Sequence, residues 1–360
     1  MPIGLDWGKM LKNRHNCLYS LLMVLGILVV AQLPVVAMAN SETSQDKRLV
    51  ADNLFDVDFI DAQRGLASGY YGTILKTRDG GAHWVRIDTN IKELIRRLDL
   101  VTADRGWAVG HRGSIFHTED GGLSWQKQFQ VKGVYLRDIS FASENTGWAV
   151  GQNMTILNTR DGGKTWQQQK LTGFKGRDLP RLNGVLALSE TTAVLVGEFG
   201  VVGYTDDGGA NWRILPSGMG TTLTALAQRG QDVVVGGLDG VALNVSLGAT
   251  PVVTSLNTGV HQHIFGISFN GKGQGIAVGR TIILRFDGDS ITPVKADDSV
   301  ILPYRWYHGV QILDDGQVIA VGARGAIIKT DSLQDEFRKI AQLGDPDTVS
   351  VGGEVKSEEQ

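Results

Sequence analysis

Four short segments contain the carboxylates that stand out most clearly in this sequence. Each follows the pattern Thr-x-Asp-Gly-Gly-x-x-Trp, here called the Asp box, at 77–84, 118–125, 159–166 and 205–212. An aspartate before two glycines can accept hydrogen bonds from the amides of a tight turn, and the tryptophan can pack that turn against a sheet. The alternative chemistry is ligand binding or catalysis by the carboxylates. We predict a structural role for all four aspartates, Asp79, Asp120, Asp161 and Asp207.

The Asp boxes are part of a longer repeat that runs through most of the chain. Four copies superpose without gaps at 65–84, 106–125, 147–166 and 193–212, and three weaker copies follow. The glycines that mark the copies are separated by 41, 41, 46, 39, 43 and 43 residues, and they are Gly69, Gly110, Gly151, Gly197, Gly236, Gly279 and Gly322. Seven copies of about 43 residues match the length of a four-stranded propeller blade.

Each copy also divides into four short strand-like segments. In the third copy we predict strands at 138–141, 147–150, 155–158 and 165–168, with no helical periodicity between them. The sequence therefore predicts an all-β protein, a seven-bladed β-propeller of four-stranded antiparallel blades, over residues 49–343. A solenoid of β-turns is the competing architecture, but its repeats are shorter. The repeat alone does not indicate which terminal segment closes the ring.

The two ends of the chain differ in composition from the repeats. Basic residues precede an apolar run at 18–33, and Ala-Met-Ala follows at 37–39, so residues 1–39 are predicted to be a signal peptide. An uncleaved membrane anchor is the alternative. We predict a linker at 40–48 and a disordered acidic tail at 344–360. The single cysteine, Cys17, lies within the predicted leader, so cleavage would leave an exported protein without thiols.

The charge balance limits the classes of partner. The formal net charge is −3, and the repeat region is near neutral once the leader and the acidic tail are set aside. A near-neutral exported domain has no global attraction for nucleic acid, so we expect no nucleic-acid partner. Any charge used for binding must be local.

One face of the predicted propeller is rich in arginine and aromatic residues. The loops that lead into the inner strands share this face with the loops between the second and third strands. Arginine, tyrosine and tryptophan are favoured in protein-binding hot spots, and guanidinium groups can clamp the carboxylates of an acidic segment or a free C-terminus. The alternative is that these arginines pair with neighbouring acids. We predict as partner-binding residues Arg96, Arg97, Arg112, Arg137, Arg181, Arg305, Trp306 and Tyr307.

Catalysis on the same face is the main alternative function. A sialidase-like or other carbohydrate-active propeller would need an arginine cluster, an acid and a nucleophile pair. Glu198 lies at the predicted mouth, but the sequence lacks an Arg-Ile-Pro segment and marks out no second carboxylate. His261 and His263 alternate on a strand without an evident third metal ligand. We predict no catalytic residues, no metal site and no cofactor.

The full repeat, GWAVG-x-x-G-x-I-x-x-T-x-DGG-x-x-W, resembles that of the photosystem II stability/assembly factor family, and its Asp boxes also resemble those of sialidases and sortilin-type propellers. The match is closest at 106–125 and 147–166 and extends over roughly residues 50–340, although the last three copies lack the Gly-Gly and Trp of the box. The resemblance implies a non-catalytic propeller that binds newly made membrane-protein subunits. It also implies an arginine patch, which would fall on Arg96, Arg137, Arg181 and Arg305.

The resemblance further implies a partner and a location. We expect an exported or membrane-protein subunit, bound by an acidic or C-terminal segment. The protein itself would be a monomer, associated with the membrane through that partner. Its compartment would be the periplasm, or the thylakoid lumen if the host is photosynthetic.

Overall fold

Each sequence repeat forms one antiparallel sheet, and the seven sheets surround a central channel as the blades of a propeller. The computed structural model describes residues 52–340. The predicted signal peptide, linker and acidic tail all lie outside that range. Among the described residues there is no α-helix, and none of the short helical turns is long and apolar enough to span a membrane.

The strands of each blade follow one another in the chain from the channel outwards. Blade 1 contains β1 (Leu54–Phe59), β2 (Gly65–Gly69), β3 (Ile74–Thr77) and β4 (Val85–Ile87). Blade 2 contains β5 (Ile95–Leu100), β6 (Gly106–Gly110), β7 (Ser114–Thr118) and β8 (Gln126–Gln130). Blade 3 contains β9 (Leu136–Phe141), β10 (Gly147–Gly151), β11 (Ile156–Thr159) and β12 (Gln167–Gln169). Blade 4 contains β14 (Leu182–Ala187), β15 (Ala193–Gly197), β16 (Val202–Thr205) and β17 (Trp212–Leu215), with β13 (Leu171–Thr172) added parallel to β17 at its outer edge.

The last three blades keep this order although their Asp boxes are lost. Blade 5 contains β18 (Leu223–Arg229), β19 (Asp232–Gly237), β20 (Ala242–Ser246) and β21 (Val252–Leu256). Blade 6 contains β22 (Ile264–Phe269), β23 (Gly275–Gly279), β24 (Ile283–Asp287) and β25 (Ser290–Pro293). Blade 7 contains β26 (Tyr307–Ile312), β27 (Val318–Gly322), β28 (Ile327–Thr330) and β29 (Arg338–Lys339). The 3₁₀ turns are Tyr70–Gly72, His111–Gly113, Glu198–Gly200, Leu238–Gly240, Leu302–Tyr304 and Ala323–Gly325.

The predicted fold is confirmed, with one change of register in the repeat. The third blade has the four predicted strands, each displaced by at most two residues at either end. In blade 5 the marker glycine is Gly237 and not Gly236, because Gly237 pairs with Leu223 as Gly69 pairs with Leu54 in blade 1. The adjacent glycines made the two positions equivalent in sequence, and strand pairing distinguishes them.

The hydrophobic core is divided among the seven interfaces between neighbouring blades. At each interface buried side chains from two blades form one apolar cluster; the cluster between blades 7 and 1, for example, joins Leu54 and Trp84 to Ile319 and Val321. The tryptophan of each Asp box thus packs against the preceding blade, as Trp212 of blade 4 packs with Trp148 of blade 3. Burial of apolar surface between blades is therefore the main force that holds the ring together.

The ring closes between blade 7 and blade 1 without a shared strand in the described part of the chain. The outer strand of blade 7, β29, comes from the segment that directly follows β28. On the channel side the two blades are joined by the amide of Gln311. Its Oε1 accepts a hydrogen bond from the Phe59 backbone N–H at 2.6 Å, and its Nε2 donates to the Phe59 carbonyl at 3.0 Å. One side chain thus pairs with the backbone of β1 as a neighbouring strand would.

We predict that Gln311→Ala weakens the closure of the ring. The change leaves a buried backbone N–H without its partner, which costs about 1–3 kcal/mol of the free energy of unfolding. The measurement is urea unfolding of the variant beside Gln126→Ala, which removes an exposed glutamine from the outer strand β8. Equal losses in the two variants would show that the Gln311 amide does not stabilise the junction.

Asp58, on the channel side of β1, gives the stability a predicted pH dependence. Burial and the nearby Asp56 raise the pKa of Asp58 to about 7. The hydrogen bond donated by the Leu100 N–H at 2.5 Å lowers this pKa but does not cancel the increase. The folded state therefore holds this proton more tightly than the unfolded state, and the free energy of unfolding should fall as pH rises from about 4 to about 7. Asparagine keeps an acceptor for Leu100 and cannot ionise.

Asp58→Asn should accordingly reduce this pH dependence, to which Asp99 also contributes because burial and Asp58 raise its pKa, and should raise stability at neutral pH by about 1–2 kcal/mol. The check is chemical unfolding over that pH range, with the exposed Asp88→Asn as the control. If Asp58→Asn were destabilising at neutral pH, the carboxylate would be needed in its charged form.

Candidate partner-binding site

A β-bulge near the start of every inner strand builds one pocket at the mouth of the channel. In all seven inner strands the register with the second strand shifts by one residue at this point. A bulge turns one side chain out of the alternation of the strand. The residue before the bulge lies in the core, and the bulged residue lines a cavity of about 690 Å³. The seven bulged residues, one from each blade, are Phe55, Arg96, Arg137, Asn183, Thr224, Phe265 and His308.

Arginines form the wall of the pocket on blades 2 to 4. Arg181 is held by Glu198, which accepts its Nε–H at 2.7 Å and its backbone N–H at 2.8 Å. Arg96 places Nη2 at 2.6 Å from His308 Nε2. Within residues 52–340 neither Arg96 nor Arg137 has a carboxylate at ion-pair distance, and Arg137 Nε has no hydrogen-bond partner. These two guanidinium groups therefore face the pocket without a compensating anion, as do Arg280 and Arg305 on the other side of the pocket.

Each arginine makes it less favourable for its neighbours to be charged, and so lowers their pKa. Burial, with repulsion from Arg137 and Arg97, lowers the pKa of Arg96 to about 9, and burial also lowers the pKa of Arg137. The pKa of His308 lies well below its ordinary value because the ring is buried beside arginines. His308 is therefore neutral at pH 7, and its Nε2 can accept a hydrogen bond from Arg96. A bound anion would relieve the repulsion between these groups.

Aromatic rings form the wall of the pocket on blades 6, 7 and 1. Phe55 stacks on Trp306 with ring centroids 5.6 Å apart, and Phe265 stacks on the imidazole of His308 at 5.9 Å. Tyr304 stands at the rim with 90% of its surface exposed. The pocket thus offers an arginine wall for an anionic group and an aromatic wall for an apolar one.

Arg97 lies outside the pocket and lines a second cavity together with Asp56 and Asp138. Its Nη1 bonds Asp56 Oδ1 at 2.7 Å and its Nε bonds Asp138 Oδ1 at 3.0 Å. The other oxygens of these carboxylates accept backbone N–H groups from the next blade, that of Leu98 on Asp56 and that of Val185 on Asp138. Arg97 therefore joins the inner strands of blades 1, 2 and 3 and is not free to meet a partner.

The other predicted contact residues divide between the pocket, its rim and the core. Arg305 and Trp306 line the pocket, and Arg305 Nη1 also donates to the Ala323 carbonyl at 3.1 Å. Arg112 is exposed at a loop tip outside the pocket. Tyr307 is removed from the proposed contact set, because it occupies the core position before the bulge of blade 7 and is 1% exposed. The bulged residues that sequence reasoning missed are Phe55, Asn183, Thr224 and Phe265, which the repeat would have indicated as equivalents of Arg96.

The Asp boxes lie at the opposite face and have the geometry of a turn. Asp161 accepts the Thr165 backbone N–H at 2.9 Å and its hydroxyl at 2.7 Å, and these hydrogen bonds lower the pKa of Asp161. Asp79, Asp120 and Asp207 make the equivalent bonds to the residue four positions later. In each box the first glycine donates its N–H to the loop between the first and second strands, as Gly80 does to the Gln63 carbonyl at 3.0 Å.

Acidic and metal-ligating side chains are sparse in the pocket among the described residues. Glu198 is its single carboxylate among the described residues, and the hydrogen bonds from Arg181 lower the pKa of Glu198, which favours the ionised form. His263 accepts the Asp239 backbone N–H on Nδ1 at 3.0 Å. Within residues 52–340 no group of three or more His, Cys, Asp or Glu side chains is arranged to hold a metal ion.

The fold is a seven-bladed β-propeller with a basic and aromatic pocket at one mouth of its channel. A family model described as photosynthesis system II assembly factor YCF48 matches residues 36–132 and 126–223, which is more than half of the chain. The chain belongs to this family. No curated protein matches it.

Solved structures show the same fold at low sequence identity. The structure "YCF48 bound to D1 peptide" is 19% identical with a TM-score of 0.57, and the match covers 71% of this chain and 82% of that one. YCF48 from Cyanidioschyzon merolae is 16% identical with a TM-score of 0.62, over 78% and 95% of the two chains. A GH74 enzyme from Niastella koreensis is 11% identical with a TM-score of 0.64, over 80% of this chain and 54% of the other.

We predict that Arg97→Met destabilises the fold. The change leaves Asp56 and Asp138 buried without their cation, and breaking a buried ion pair on one side costs about 3–5 kcal/mol. Thermal and urea unfolding should show this loss, whereas Arg86→Met on the exposed outer strand β4 should change stability little. Similar stabilities for the two variants would contradict the structural role of Arg97.

Proposed function

We propose that this protein is a non-catalytic assembly or stability factor that docks a membrane-protein subunit in the pocket. An acidic side chain or the C-terminal carboxylate of the client binds Arg96 and Arg137, and a neighbouring apolar side chain packs against Phe55 and Trp306. The observation that carries the proposal is the pair of guanidinium groups that face the pocket without a carboxylate partner. Membership of the assembly-factor family supports a membrane-protein client.

The same site supports a peptide more readily than a sugar. A relative with this fold has been solved with a D1 peptide bound. Glycoside hydrolysis needs two carboxyl groups with different protonation states, and the pocket offers Glu198 alone, tied to Arg181. The carbohydrate-active alternative therefore has little chemical support here. We keep the export of the mature protein to the periplasm, or to the thylakoid lumen of a photosynthetic host, as part of the proposal.

The test measures binding of a D1 peptide, synthesised once with a free C-terminal carboxylate and once with a C-terminal amide. Wild type is compared with Arg96→Gln/Arg137→Gln, which keeps polar side chains in place but removes both charges. Because a charge-assisted hydrogen bond contributes about 1.5–3 kcal/mol, we expect the free peptide to bind about tenfold or more weakly to the variant. The amidated peptide shows whether a terminal carboxylate or an internal acid is recognised.

The matched control is Arg78→Gln, which removes an exposed arginine from the Asp-box face. This variant should bind the peptide as wild type does. In parallel, crosslinked pull-downs from detergent-solubilised host membranes should recover a membrane subunit with wild type and Arg78→Gln but not with the pocket variant. Equal peptide affinities and equal captured partners for all three proteins would refute the docking of a carboxylate in this pocket.

A further inference from the structure

The loops around the pocket expose bulky side chains at their tips. In the loops between the second and third strands the tip residue has a positive φ, with values of 52° for Tyr71, 66° for Arg112 and 58° for Phe199. Residues other than glycine rarely adopt this conformation, and here the repeat imposes it. The side chains at these three tips are exposed.

Exposed apolar side chains are concentrated on this face of the propeller. Of the nine large apolar residues that are exposed within residues 52–340, six lie on its loops: Tyr71, Tyr135, Leu179, Phe199, Ile301 and Tyr304. Two of these rings stack on a neighbouring ring. Tyr135 stacks on His111 with centroids 4.5 Å apart, and Phe199 stacks on Phe174 at 6.4 Å.

On blades 2 to 4 the apolar side chains lie among basic ones. Arg112, Lys132, Lys175 and Arg177 are exposed there, and none of the four makes an ion pair within residues 52–340. Asp178 is the one acid in the loops at 131–135 and 173–181. We call this sector, with Tyr135, Leu179 and Phe199, the basic rim.

We propose that the basic rim binds the surface of a lipid bilayer that contains anionic lipids. Apolar side chains on separate loop tips can each enter the interfacial layer of a bilayer independently. Aromatic residues favour that layer, and unpaired lysines and arginines are attracted to anionic headgroups. The positive charge of the rim and its exposed apolar side chains therefore match a membrane surface.

This inference goes beyond the docking of a client and stands without it. The pocket opens on the same face as the basic rim, so lipid binding would turn the pocket towards the bilayer. A segment of a membrane protein that leaves the membrane would then meet the arginine wall directly.

Flotation with vesicles tests the proposal. Protein purified from its host is mixed with vesicles of phosphatidylcholine alone or of phosphatidylcholine with phosphatidylglycerol. Wild type is compared with Lys132→Glu/Lys175→Glu/Arg177→Glu, and with Leu179→Ser/Phe199→Asn, in which asparagine suits the positive φ. The matched control is Arg78→Glu/Lys164→Glu/Lys272→Glu, three exposed residues of the Asp-box face.

We expect wild type and the control to bind the anionic vesicles and to bind the neutral vesicles less. Each basic residue contributes about fivefold to binding at an anionic surface, so the rim charge variant should lose more than tenfold, and the apolar variant should also lose affinity. Equal binding by the rim and control variants, or equal binding to both vesicle types, would overturn the proposal. Capture of the client from detergent should survive in the rim variants, and its loss without any change in vesicle binding would show that the rim contacts protein instead.

Discussion

The repeated bulge of the inner strands is the constraint on which the binding site depends. A strand without it would alternate between core and channel, and the first channel side chain would be fixed by the pleat. Because of the extra residue, two neighbouring positions can meet two different requirements. The first position must be large and apolar because it closes the interface between blades, as Leu54 and Tyr307 do. The second position lies outside the apolar clusters between blades, so it can be phenylalanine in blade 1, arginine in blade 2 and threonine in blade 5, where Thr224 also donates a hydrogen bond to the next blade.

The ring has a second set of constraints, made of polar side chains that join each inner strand to the next blade. They form side chain to backbone hydrogen bonds at all seven junctions, through Asp56, Asp99, Asp138, Asn183, Thr224, Ser268 and Gln311. Carboxylates perform this role in blades 1 to 3, and neutral groups perform it in blades 4 to 7. The acids would give that half of the channel a large negative charge, but Arg97 neutralises part of it from within. Arg97 and the acids Asp56, Asp58 and Asp138 line one cavity, whereas Arg96 and Arg137 line the basic pocket.

The spacing of the repeat was enough to predict the number of blades, the order of the strands and the face that carries the pocket. It could not predict which arginines are free. Arg96 and Arg97 are adjacent, yet Arg97 meets two carboxylates, each 41 residues distant in the chain, and Arg96 meets none. That difference arises from the bulge at Arg96, between Ile95 and Arg97, and the composition of the strand does not reveal it. The same limit applies to Tyr307. The sequence of Arg305, Trp306 and Tyr307 does not indicate which of the three side chains is buried in the core.

The chemistry of the pocket also determines how its charge responds to acid. With a pKa of about 9, Arg96 is charged at neutral pH and stays charged as the pH falls. His308 adds no charge near neutrality, because burial beside the arginines keeps its pKa well below the ordinary range. Glu198 is held ionised by Arg181, so it too resists protonation under mildly acidic conditions. A compartment that acidifies therefore leaves the positive charge of the pocket intact, and any release of a carboxylate client by acid must come from protonation of the client itself.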